Sequence, residues 1–178
     1  MNNRPLRKRY LSLLLAAVAL AGPFLNLSAR AWRQDSKPSE TLLVTGDIPT
    51  PVGLKAEDLD KMQPESVTVN EEDASTNYTG VTLRSVLEKA GAPMGKSLRG
   101  KGLASYVLAK ARDGYQVVFT PGELDASFGN ERVLIAYKRE GKALFGYQGP
   151  FRIICPNDKA GARSIRMLES LEVVRLRK

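Results

Sequence analysis

Residues 103–119 read LASYVLAKARDGYQVVF: two runs of alternating hydrophobicity, Leu103–Ala109 and Tyr115–Phe119, on either side of Arg112-Asp113-Gly114. A period of two puts successive side chains on opposite faces of an extended chain, and an Asp-Gly pair suits a tight turn. This stretch predicts a β-hairpin. Just upstream the period is different. Leu83, Val86, Leu87 and Ala90 recur at helical spacing, with Thr82 placed to cap the start and Gly91 to end the last turn. Arg84, Glu88 and Lys89 fall on the polar side of that helix.

Working outward, Pro121–Leu124 predicts one helical turn, Arg132–Tyr137 a strand, and Arg139–Lys142 a turn. Phe151, Ile153 and Cys155 alternate with Arg152 and Ile154 in a further strand closed by Pro156, and Leu171–Leu176 is the last strand. Toward the N-terminus, Leu42–Gly46 predicts a strand, Leu54–Met62 a short helix ended before Pro64, and Ser66–Val69 another short strand. The polar stretch Asn70–Asn77 reads as a connection. Strands outnumber helices and come in runs. The expected fold class is α+β, a mixed and largely antiparallel β-sheet core with a few short helices.

A total of 178 residues suits one domain with a short appendage. Residues 1–31 have a basic start, an apolar run from Leu11 to about Leu27, and the small-x-small sequence Ala29-Arg30-Ala31, which together predict a signal peptide. Residues 32–41 read as a polar spacer and 42–178 as the folded domain. The expected location is periplasmic or secreted after cleavage; a retained N-terminal membrane anchor is the alternative. Arg7-Lys8-Arg9-Tyr10 lacks the adjacent arginine pair of a twin-Arg leader, which implies export unfolded and without a bound cofactor. The formal charge is +8, but residues 1–31 hold five basic and no acidic residues, leaving about +3 on the remainder. That modest balance argues against nucleic acid as a partner.

The chain has no His and one Cys, so Ser-His-Asp and Cys-His nucleophilic machinery, His-based metal sites and an intrachain disulfide are all excluded. Cys155 lies on the apolar side of its strand, where a thiol packs as a small hydrophobe; a reactive or ligand role is the alternative. Glu71, Glu72 and Asp73 read as a hydrated connection rather than a cation site, because a calcium site needs six to eight oxygens at controlled spacing. Glu123 and Asp125 suit capping or solvent before acid-base work. Tyr106, Tyr115, Tyr137, Tyr147 and Phe151 suit packing, with a ligand wall as the alternative. Lys159, Arg163 and Arg166 bracket Gly161-Ala162 and are the candidate site: arginine forks and a lysine point charge in one loop suit phosphate or a similar oxyanion. Arg84 joins them only if the helix lies near this loop.

Several segments together resemble the molybdopterin-binding domain of the sulfite oxidase family. They are Tyr78-Thr79-Gly80-Val81-Thr82-Leu83-Arg84-Ser85-Val86-Leu87-Glu88-Lys89-Ala90-Gly91; Val133–Tyr137 with Gly141–Leu144; Gly149–Pro156; and Gly161–Arg166 running into Leu171–Val173. The resemblance implies that domain's α+β fold and a pterin cofactor held through its phosphate and ring edges, with Arg163 and Arg166 as the best positions carried over and Lys159 a weaker one. It also implies a cysteine thiolate on molybdenum after the strand that here reads Val67-Thr68-Val69, where this chain has Asn70-Glu71-Glu72. Cys155 does not match that ligand position, so the resemblance names no metal ligand and no catalytic residue in this chain. Hard amide and carboxylate oxygens do not reproduce a thiolate's electronics.

Three functions stand side by side at this stage. One is binding of molybdopterin, or a similar phosphate-bearing ligand, without autonomous oxygen-atom transfer. The second is a cofactor-free exported domain that binds another ligand or an exported or membrane-associated protein partner. The third is a divergent molybdenum-dependent oxidoreductase.

Overall fold

A computed structural model describes residues 39–71 and 74–177. The expected signal peptide, most of the spacer, and Glu72 and Asp73 lie outside the described residues. Among the described residues, no helix is long and apolar enough to cross a membrane.

Among the described residues, ten strands form two sheets. The first contains β1 (Leu42–Gly46), β2 (Val52–Leu54), β5 (Ser105–Ala111), β6 (Gln116–Phe119) and β10 (Leu168–Arg175), in the order β2-β1-β10-β5-β6. Every pairing in it is antiparallel except β1 with β10, which closes the two ends of the domain side by side. The second sheet contains β3 (Glu65–Glu71), β4 (Ala74–Thr82), β7 (Leu134–Arg139), β8 (Lys142–Ala143) and β9 (Arg152–Ile154). Its order is β3-β4-β7-β8, and β9 also pairs with β7. Because β4 runs along one edge of β7, β8 and β9 share the other edge, pairing at Lys138–Arg139 and Leu134–Ala136 respectively. The expected α+β class with an antiparallel core and few short helices is what is found.

The hairpin at 103–119 forms as its alternation predicts, although the strand begins at Ser105 and continues to Ala111. Gly114 takes φ +90° at the turn, and Asp113 Oδ1 accepts the Tyr115 N–H at 3.0 Å. Helix α2 (Leu83–Lys89) starts where Thr82 Oγ1 accepts the Ser85 N–H at 3.1 Å, and it buries Leu83, Val86 and Leu87. Burial of such side chains stabilises by roughly 1.5–3 kcal/mol each. Two shorter helices are α1 (Ala56–Asp60) and α3 (Pro121–Leu124).

Two expectations need correcting. Asn70, Glu71 and Ala74–Asn77 are strand and not connection: Asn70 pairs with Ser75 and Glu71 with Ala74, so β3 and β4 pair along their length. The helix expected over Leu54–Met62 spans only Ala56–Asp60, because Val52–Leu54, next to two prolines, pairs with β1 as an edge strand. β7 is buried on both faces. Ile135 and Tyr137 enter a main core that includes Val44, Val81, Val107, Phe151 and Val173 from both sheets, whereas Leu134 and Ala136 join Val67, Tyr78, Leu144 and Ile154 on the opposite face. Arg152 shares the register of Ile154 and therefore projects toward this second cluster.

Candidate functional site

A cavity of about 760 Å³ is lined by the end of β3 (Thr68–Glu71), the β5–β6 turn (Asp113, Tyr115), Tyr147 from the β8–β9 loop, Arg152, and most of the segment from Cys155 to Arg166, Arg163 excepted. Two sheets supply its walls, so no single sequence segment encodes it.

Its most buried charged group is Arg152, only 3% exposed. The guanidinium is clamped from several sides. Nη2 pairs with Glu71, Nη1 donates to the Tyr78 hydroxyl at 2.6 Å and to Gln148 Oε1 at 2.8 Å, and the cation lies 5.0 Å from the centre of the Tyr78 ring. Tyr78 in turn donates to Glu71 Oε2 at 2.8 Å. Burial acts to raise the Glu71 carboxyl, but hydrogen bonds from Tyr78 and Arg152 outweigh it and hold the group below the usual glutamate range. Burial and the Glu71 acceptor both push the Tyr78 phenol up. Arg152 Nε is buried and has no hydrogen-bond partner, and an unsatisfied donor of that kind is costly unless a ligand or water meets it.

The three sequence-predicted cations separate. Lys159 and Arg166 line the cavity together with Asn70. Arg163 does not line it: Nε and Nη2 fork onto Asp158 at 2.8 and 2.7 Å, Nη1 reaches Glu123 at 3.4 Å, and the guanidinium lies 5.4 Å from the Phe119 ring centre. The fork raises Arg163 and lowers Asp158. Arg166 instead lies over the Tyr147 ring at 5.0 Å. Among the described residues, neither Lys159 nor Arg166 has a carboxylate partner. Arg84 pairs with Glu88 on α2 and does not line the cavity.

The carboxylates set aside for capping are held by the fold. Glu123 forms a reciprocal capping box with Thr120. Asp125 is fully buried, accepting the N–H groups of Gly95 at 2.5 Å and Ser127 at 2.9 Å, which hold its carboxyl below the usual range. Glu71, expected in a hydrated connection, is the partner of Arg152. Of the aromatic candidates, Tyr137 and Phe151 are core residues, while Tyr115 and Tyr147 belong to the cavity wall.

Cys155 packs in the main core with Phe151 and Ile153 and also reaches the cavity wall. Burial first, then the nearby Asp158 charge, pushes its thiol up to about 12, so it is neutral sulfur at physiological pH. Among the described residues, no group of three or more Cys, Asp or Glu side chains is arranged to hold a metal ion.

Sequence reasoning passed over Arg152, Tyr78 and Gln148. One signal was present: an arginine inside the otherwise apolar run Phe151–Cys155 is a charge bound for burial, and buried arginines are paired.

Comparison with curated proteins gives no match. Among solved structures, the crystal structure of the sulfane dehydrogenase SoxCD from Paracoccus pantotrophus is similar in fold, with a TM-score of 0.59 and 19% identity over 78% of this chain. The match covers 39% of that chain, so this protein corresponds to a minor part of it. The family model for the oxidoreductase molybdopterin binding domain matches residues 31–178. That match spans every strand and helix described above, and the chain therefore belongs to the oxidoreductase molybdopterin-binding domain family.

Proposed function

We propose that this chain is a binding domain whose cavity holds a pterin cofactor or a similar phosphate-bearing ligand, and that it does not carry out oxygen-atom transfer by itself. The observation that carries this reading is the charge left over in the cavity wall. Glu71 is committed to Arg152 and Asp158 to Arg163, so Lys159 and Arg166 face only Asp113 in the remaining lining. Two cations without a carboxylate partner among the described residues, beside a concave surface, favour an oxyanion.

The organic part of a molybdenum cofactor fits this donor set. Lys159 and Arg166 would hold its phosphate, and Asn70, Thr68 and the free Nε–H of Arg152 offer hydrogen bonds to ring edges. The metal part does not fit. When bound, molybdenum supplies two-electron oxygen-atom transfer, and in this family resemblance it takes an anionic sulfur ligand. The one cysteine, Cys155, lies in the later strand segment beside β9, and the position after Val67-Thr68-Val69 is Asn70, whose amide is a hard donor.

The test starts with full-length protein purified from a host that makes the cofactor. Elemental analysis should find molybdenum well below stoichiometry, with released pterin detected by fluorescence. Calorimetry with inorganic phosphate should give binding that weakens with salt, and Lys159→Ala/Arg166→Ala should weaken it at least about tenfold. Stoichiometric molybdenum, or equal phosphate binding by wild type and double variant, overturns the proposal. A second reading has its own support. Phe145, Tyr147 and Tyr115 are 83%, 62% and 49% exposed, an apolar rim suited to an exported or membrane-associated protein partner. A reproducible partner in a native pull-down, with neither pterin nor phosphate bound, favours that reading. In both readings the basic and apolar leader suits a periplasmic or secreted domain.

A further inference from the structure

Three consecutive residues of one loop are each held by an arginine. The loop joins β8 to β9 and closes on itself: the Gln148 N–H donates to the Phe145 carbonyl at 3.1 Å, and a Cβ on Gly149 would lie 2.5 Å from the carbonyl carbon of Leu144. Arg112 Nη2 donates to the Gly146 carbonyl at 3.3 Å, Arg166 lies over the Tyr147 ring at 5.0 Å, and Arg152 Nη1 donates to Gln148 Oε1 at 2.8 Å. Arg152, Arg166 and Tyr147 all belong to the cavity wall. Phe145, at the other end of the same turn, is 83% exposed.

The holds differ in strength. Arg152 is locked by Glu71 and Tyr78, so Gln148 is a fixed end. Arg166 has no carboxylate partner among the described residues, and its contact with Tyr147 is a solvent-facing cation–π pair. Such a contact is worth a factor of about 2 to 5 in an equilibrium, whereas a guanidinium fork on a phosphate is stronger. An oxyanion in the cavity therefore wins the contest for Arg166.

We infer that residues 145–147 form a ligand-responsive segment: an oxyanion bound in the cavity draws Arg166 off the Tyr147 ring, and the turn, left with the Arg112 and Arg152 holds alone, carries Phe145 to a new position. This rests on the anion-binding reading above. Linkage gives it a consequence of opposite sign to an ordinary contact residue. Whatever the ligand takes from the loop, the loop withholds from the ligand, so removing the Tyr147 ring tightens binding.

The experiment uses the full chain carrying Trp32→Phe and Phe145→Trp. Because the sequence has one tryptophan, the new indole is the sole reporter. Inorganic phosphate is titrated at constant ionic strength while emission and calorimetric heat are followed in parallel. The expected result is an emission shift with the calorimetric midpoint, and phosphate binding about 2- to 5-fold tighter in Tyr147→Leu. Tyr147 is 62% exposed, so this variant should keep its fold. Phosphate heat with flat emission overturns the inference and leaves the anion-binding reading standing. Weaker binding in Tyr147→Leu makes Tyr147 a ligand contact and also overturns it. No heat at all brings down both.

Discussion

Arg163 and Arg166 stand three residues apart and each meets an aromatic ring, but they do different things because Arg163 has carboxylate partners and Arg166 has none among the described residues. Arg163→Ala should cost about 1–2 kcal/mol in denaturant unfolding, the value of charged hydrogen bonds reduced by screening at a side chain one-third exposed. It should also weaken phosphate binding, since the bared Asp158 carboxylate faces the cavity. Adding Asp158→Asn should restore the binding and leave the stability loss. For Arg166→Ala the same second change should restore nothing. Glu71 is a harsher site. Glu71→Gln leaves the buried Arg152 without its counter-charge, and a loss of about 3 kcal/mol at neutral pH is expected. Glu71 is held below its ordinary value of 4.5, so its contribution is complete above that value and disappears as pH falls through the lower folded value. Denaturation curves of wild type and Glu71→Gln should therefore separate near neutrality and converge in acid. Cys155, with burial pushing its thiol up to about 12, should react with a bulky maleimide at about pH 8 far more slowly in native than in unfolded protein.

At the level of elements, the hairpin at 103–119, helix α2 and the capped turn α3 were legible because each carries its own period and punctuation. β4 was not. Ala74-Ser75-Thr76-Asn77 is polar and small, a composition typical of connections, and it is extended because β3 pairs with it over its full length. Farther along β4, Gly80 sits at a register shift opposite β7, where a Cβ would come within 2.1 Å of the Ile135 carbonyl oxygen. Gly80→Ala should destabilise by about 3 kcal/mol, read as a lowered denaturation midpoint with an unchanged slope. The β8–β9 loop is a third case. Its turn residues announce a loop, but nothing local says that Arg112, Arg152 and Arg166 converge on it.

Across the whole molecule, the larger core draws on both sheets and α2, and only the second sheet has a further, smaller apolar cluster on its other face, so the two sheets depend on the shared core. Phe151, fully buried at the entrance to β9, belongs to that shared core. Phe151→Ala should cost about 3–5 kcal/mol and lower a single unfolding transition, with far-UV and near-UV circular dichroism changing together. Separate transitions would mean that the sheets are stable independently.

The sequence by itself determined the class of fold, the order of most elements, the buried side of Cys155 and the absence of histidine chemistry, because those follow from local periodicity and from which atoms the chain possesses. It also marked Lys159, Arg163 and Arg166 as one group of cations. Only the tertiary structure decided their division. Asp158 is five residues from Arg163 but Glu123 is forty away, while Glu71 reaches Arg152 across eighty-one residues. Whether a cation is neutralised or left to meet a ligand depends on which carboxylates folding brings within a few ångströms of it, and electrostatic attraction falls with distance in space, not along the chain.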